Sequence, residues 1–328
     1  MWRISGCVTV FLATMAVACS AVAQAKPQSE TATQTAPATK PAKERPDTIA
    51  AATQATGATF RPLVRKAKGG RIDWTRGEVR ATGTGKSTGT SGQSVAMAKR
   101  AARAVAARNV ALLLAGIRVG PGGRFAKVRR GRLSVDAILT GLREVASRFD
   151  SKTRTATVTL AMPLYGVKGM LVTHRLQLTR PRARWRFGAH YALIGEPSVV
   201  IIDARRMRFE PVVLPRLTTG SGQVVFDASD VNGLVLLARG MVAWAKLPDK
   251  APLSARAKVE HPAVILTPVR ADPNNAGVLV LDREDLQGLR VYSGTRHVMR
   301  QGRVLIVLDE EAPAPSPGRA KPADKDND

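Results

Sequence analysis

The chain has 328 residues and carries 51 Lys and Arg against 25 Asp and Glu, a formal charge of +26. That balance predicts adhesion to polyanions: nucleic acid, anionic lipid headgroups, lipopolysaccharide or acidic wall polymers. Its two cysteines, Cys7 and Cys19, both fall in the first 23 residues, which excludes a disulfide framework or a thiolate metal site from everything that follows.

The N-terminus has the three parts of a secretory signal, predicted over 1–23. Arg3 gives a short positive start, Cys7 to Ala18 is an apolar run too short to span a bilayer, and Ala21-Val22-Ala23 is a small-x-small cleavage site. Cleavage is expected after Ala23, with Ala25 as the near alternative. Ala16-Val17-Ala18-Cys19 is a loose lipobox with Ala where Leu is usual, and its use would make Cys19 a lipid-bearing N-terminus. Export predicts a periplasmic or outer-membrane-associated protein. It removes most nucleic acid as a target and leaves the polyanions of the envelope. Residues 24–60 are rich in Thr, Ala, Gln, Pro and Lys, with no aromatic residue before Phe60, and read as a disordered linker. No later segment is long and apolar enough to cross a membrane.

A first α+β domain is expected over 61–190. Ile72 to Thr82 reads as a strand, followed by a Gly-rich turn from Gly83 to Gly92. Gln93 to Leu114 reads as a helix whose stripe is Val95, Ala98, Ala102, Val105, Asn109 and Leu112, thin enough to pack close on a sheet. A second helix is predicted from Val135 to Phe149, with Ser134 as its N-cap and the stripe Val135, Ile138, Leu142, Val145 and Phe149. Strands follow at Arg154 to Leu160 and Leu171 to Thr179, with a turn at Gly166 to Gly169. The order predicts two helices packed on an antiparallel or mixed sheet.

Gly77-x-Val79-x-Ala81-x-Gly83-x-Gly85, then Met97 to Arg103, Arg108-Asn109, and Met162-Pro163-Leu164-Tyr165-Gly166, resemble the domain of LPP-twenty-type envelope lipoproteins. The N-terminal domain of flagellar assembly protein T is related to it. The resemblance spans about a hundred residues. It implies an envelope protein, in some cases a flagellar accessory, and brings no catalytic residues with it.

A second α+β domain, a mixed sheet with few helices, is expected over 191–311, before a disordered tail at 312–328. Ser198 to Asp203 is a continuous apolar strand, and Asp203 with Arg205 reads as a structural ion pair or turn. Val278 to Leu281, a helix capped by Asp282, and Arg303 to Leu308 read as strand–helix–strand.

Catalytic patterns are not met. Gly83-Thr84-Gly85-Lys86-Ser87 resembles the end of a phosphate-binding loop, yet Arg80 stands where the first glycine is required and the helix starts too late. His174, His190, His261 and His297 are dispersed without a ligand spacing, and no nucleophile elbow is present. No catalytic residue, metal or cofactor is expected. The sharpest candidate is the row Arg180, Arg182, Arg184 and Arg186, interleaved with Pro181, Ala183, Trp185 and Phe187. In an extended chain it would point four guanidiniums one way at spaced phosphates or carboxylates. The expectation is an exported, non-enzymatic structural or assembly component that binds anionic envelope polymers or a partner protein. The alternatives are an exported hydrolase or transferase acting on such a polymer, and a lipid-anchored surface protein.

Overall fold

The computed structural model describes residues 46–121, 123–124, 141–173, 184–188, 195–248, 250–255, 260 and 262–309. In chain order the first part contains α1 (Pro46–Thr56), β1 (Arg61–Pro62), β2 (Val64–Ala67), β3 (Gly70–Asp73) and β4 (Glu78–Lys86). It continues with α2 (Gly92–Gly116), β5 (Arg118–Gly120), β6 (Gly123–Arg124), β7 (Arg143–Asp150), β8 (Thr155–Pro163) and α3 (Met170–Thr173). The second part contains β9 (Val199–Asp203), β10 (Arg216–Thr219), β11 (Val224–Phe226), α4 (Gly233–Arg239), β12 (Ala243–Lys246) and β13 (Ala263–Leu266). It ends with β14 (Arg270–Ala271), β15 (Val278–Leu281), α5 (Arg283–Gly288), α6 (Thr295–Arg300) and β16 (Val304–Leu308). The fold is α+β in two domains, as the sequence predicts.

The first domain is a sheet in the order β2-β3-β4-β8-β7, antiparallel throughout, with α2 on one face. Ser91 caps α2 by accepting from the Ser94 amide at 3.3 Å. Gly83 and Gly85, expected in a turn, are strand residues of β4. A Cβ on Gly83 would lie 2.2 Å from the carbonyl oxygen of Ala102, and one on Gly85 would lie 2.3 Å from that of Ala98. Paired with Ala98, Ala102 and Ala106, these glycines let the helix backbone approach the sheet directly.

The buried face of α2 is Ala98, Ala102, Ala106, Val110, Leu113 and Leu114. The expected stripe meets it at Ala98 and Ala102 and then departs, because alternating steps of three and four drift from the 3.6-residue turn. Val105 and Leu112 stand 42 % and 61 % exposed. Asn109 donates from Nδ2 to the Thr82 carbonyl at 2.8 Å.

Four further expectations need correction. The strand at Ile72 to Thr82 is a hairpin, β3 and β4, broken at Trp74 to Gly77, where Gly77 takes φ +65°. The helix predicted to reach Phe149 gives way to strand β7 from Arg143, and its earlier residues 135–140 lie outside the described residues. Val145 and Phe149 are four apart, a spacing that serves one face of a helix or of a strand, so periodicity could not separate the two. The strand predicted from Leu171 begins instead as the helical turn α3. Gly169 folds the chain back so tightly that a Cβ there would sit 2.4 Å from the Tyr165 backbone.

Last, the predicted linker contains helix α1. Ala52 and Ala55 are buried against Val199, Ile201, Ala243, Ala245, Leu305 and Val307, with Ile49 half-buried beside them. Small side chains at a spacing of three suffice to dock a helix on an apolar sheet face, which composition alone does not reveal.

That sheet is the core of the second domain, in the order β1-β12-β16-β9-β13, with β12, β16, β9 and β13 parallel and β1 antiparallel at the edge. Val200, Ile202, Trp244, Ile306 and Leu308 fill its other face. Burial on both sides explains the unbroken apolar runs of β9 and β16. A second sheet, β11-β10-β15-β14, lies alongside, and Asp282 caps α5 by accepting from the Asp285 amide at 2.8 Å. The two domains share one core: Trp74 and Trp244 meet edge to face at 6.1 Å, and the Thr75 hydroxyl donates to the Trp244 carbonyl at 2.7 Å. No helix among the described residues is long and apolar enough to cross a membrane.

Candidate anion-binding face

With α2 covering one side of the first sheet, the alternation of its strands sends every second residue to the opposite side. The register there aligns Lys66 with Arg71, Arg71 with Arg80, Arg80 with Ala161, and Ala161 with Arg143. One cross-strand row thus carries four cations, with strands about 4.8 Å apart. Like charges directly opposite one another destabilise a sheet. Even in water, two of them 5 Å apart repel by about 0.8 kcal/mol.

The protein offsets part of this with one carboxylate. Glu78, its side chain 8 % exposed, accepts from Arg80 Nε at 2.6 Å and also binds Arg143 Nη2. Lys66 and Arg71 are exposed, and no carboxylate among the described residues bridges them.

Beyond this row the face becomes a floor of threonines. Thr82 lies opposite Thr159, Thr84 opposite Thr157, and Lys86 opposite Thr155. The hydroxyls of Thr82 and Thr159 are 3.2 Å apart. Arg148 on β7 borders Thr157, and Asp150 borders Thr155. Asp150 is tied into its own turn: hydrogen bonds from the Thr153 hydroxyl at 3.0 Å and the Lys152 amide at 2.9 Å hold its carboxyl below the usual carboxylate range. Asp73 accepts from the Arg76 amide at 2.9 Å. The hydroxyls can donate or accept, so the floor offers hydrogen bonds while the surrounding cations supply charge.

The arginine row predicted from sequence divides. Arg180 and Arg182 lie outside the described residues, as does Cys19. Arg184 turns inward: Nη1 donates to the Ser229 hydroxyl at 2.9 Å and lies 3.5 Å from Asp227 Oδ1, and Nη2 binds Asp230. Arg186 is exposed, and its carbonyl accepts from Arg290 Nη2 at 3.2 Å. The interleaved aromatics do share a side. Trp185 and Phe187 are 4.9 Å apart, with Arg290 over the Trp185 ring at 4.9 Å and Arg296 over the Phe187 ring at 5.9 Å.

Asp203 and Arg205 form the expected ion pair, two-pronged at 2.8 and 2.7 Å. Arg205 Nη1 also donates to the carbonyls of Pro248 and Ala251, which makes the half-buried pair a clamp on a loop. Of the histidines, His297 is exposed with Nε2 3.7 Å from Glu196, and the other three lie outside the described residues.

Sequence reading missed the open face because Lys66, Arg71, Arg80 and Arg143 are scattered along the chain and meet through register alone. Alternation of charge and apolar residue in Glu78 to Lys86 was the available signal.

Residues 199–310 match the sequence family described as Treponema pallidum Tp0624, second domain. The matched span runs from β9 through β16. No curated protein matches the chain.

Proposed function

We propose that the protein is an exported, non-enzymatic component of the cell envelope, periplasmic or associated with the outer membrane, that holds an anionic envelope polymer on the open face of its first sheet. The observation that carries this reading is the cation row of Lys66, Arg71, Arg80 and Arg143, on four of the five strands, with the buried Ala161 of β8 between Arg80 and Arg143 and Glu78 as its internal counterion. A sheet accepts such a row at a cost in stability, and a polyanion laid across it would relieve the repulsion. The leader and the strongly basic composition agree with this reading. A structural role beside the flagellum is a special case of it, suggested by the resemblance of residues 77–166.

The test is retention on immobilised lipopolysaccharide or phosphate-bearing wall polymer, eluted with a salt gradient. The Lys66→Gln/Arg71→Gln variant should elute at clearly lower salt than the native chain, since exposed charges act over only about 8 Å at physiological ionic strength. Co-elution of the two proteins would remove this face from the function.

A further inference from the structure

We propose that a cleft at the carboxyl end of β9 binds a small ligand through an oxyanion, a phosphate or carboxylate group carried on a partly apolar body. The proposal concerns a different surface from the open sheet face and does not rest on the function assigned to it.

The cleft has a volume of about 530 Å³ and lies between the loop after β9 and the turn that joins β14 to β15. Arg118, Arg206, Arg208 and Arg270 line it, against two carboxylates, Glu210 and Asp272. Both carboxylates are already engaged. Glu210 Oε2 accepts from Arg118 Nε at 2.8 Å. Glu210 also faces Arg65, whose guanidinium is pushed down by burial, with Glu210 working against that effect. One carboxylate therefore serves two arginines.

Asp272 is turned into its own loop. It accepts from the Asn275 side-chain amide at 3.0 Å and from the backbone amides of Asn274 and Asn275 at 2.9 and 3.2 Å. Those bonds, with a smaller contribution from the nearby Arg270 guanidinium, hold its carboxyl below the usual range. Arg208 and Arg270 are exposed, and no carboxylate among the described residues lies within ion-pair distance of either.

Forked guanidiniums match the paired oxygens of a carboxylate or phosphate. Met207, Val269 and Pro273 supply apolar wall, which favours an anion attached to a body with an apolar side over a bare ion. The position agrees with the general rule for parallel strands: ligands sit outside their carboxyl ends, and the wall formed by 206–210 begins three residues after the end of β9. Arg118 comes from β5 of the first domain, so an occupant would touch both domains.

Calorimetric titration of the mature chain with inorganic phosphate and, separately, with citrate distinguishes the two oxyanion chemistries. Saturable one-to-one binding of at least one probe is expected at about 0.15 M salt, where weak surface attraction is screened. Arg208→Gln/Arg270→Gln should lower that affinity at least tenfold, and Lys99→Gln/Arg100→Gln, on the exposed side of α2, should leave it unchanged. Both pairs are exposed, and unchanged melting temperatures would show that the fold is intact. Absence of saturable binding by either probe overturns the proposal. So does equal affinity in the cleft variant, or an equal loss in the α2 variant.

Discussion

Single residues decide how closely the layers of the first domain approach. Gly83 is not a flexible link, since its neighbours on both sides are paired strand residues. Its lack of a side chain admits the backbone of α2, and a methyl group there would meet the Ala102 carbonyl oxygen and the Ala106 nitrogen at 2.2 and 2.3 Å. Those are backbone atoms of a 25-residue helix and cannot swing aside. Gly83→Ala should therefore cost about 3 kcal/mol, the upper range for overpacking a core, read as a lowered urea midpoint at unchanged slope. A change below about 0.5 kcal/mol, the size of a neutral surface substitution, would mean that the helix can lift without penalty. Glu78 shows the opposite economy. A nearly buried carboxylate is normally costly, and here two guanidiniums on the same face compensate it.

At the scale of elements, α2, β8, β9, β15, β16 and the Asp282 cap of α5 were legible because each carries a local signal: a helical stripe, strict alternation, an unbroken apolar run, or a capping acid. β7 was not. Its residues are mostly exposed and its fit to β8 includes a bulge between Glu144 and Ala146, so no clean period of two survives in the sequence. Helix α1 was hidden for another reason. Its buried positions are alanines, which weigh little in any hydrophobic pattern, and the sheet that receives them lies some 150 to 250 residues further along. The open face was illegible for the same cause, since it exists only once five strands are in register. Docking of α1 makes a measurable claim. A chain starting at Phe60 should be less stable than one starting at Lys43 by on the order of 2 kcal/mol, the worth of one or two covered aliphatic side chains. Equal denaturant midpoints would mean that α1 contributes nothing to the fold.

For the whole molecule, the excess of basic residues gains meaning from its distribution. Some arginines are consumed internally, as Arg184 and Arg205 are, whereas the open face and the β9 cleft keep cations exposed. What these surfaces meet depends on compartment. Mass spectrometry of the protein from its own cells should give a mature N-terminus at Gln24 or, with cleavage after Ala25, at Lys26. A chain that still begins at Met1 would remove the envelope reading, and an acylated Cys19 would replace a free protein with a lipid-anchored one. The path of the chain adds a mechanical consequence. Residues before Pro46 connect to α1, which lies on the second domain's sheet, and β1 then pairs with β12 through only two residues, Arg61 and Pro62. Traction on the N-terminus would load the α1 contact first and that short edge next, so both would yield before force reached the strands that display the cation row.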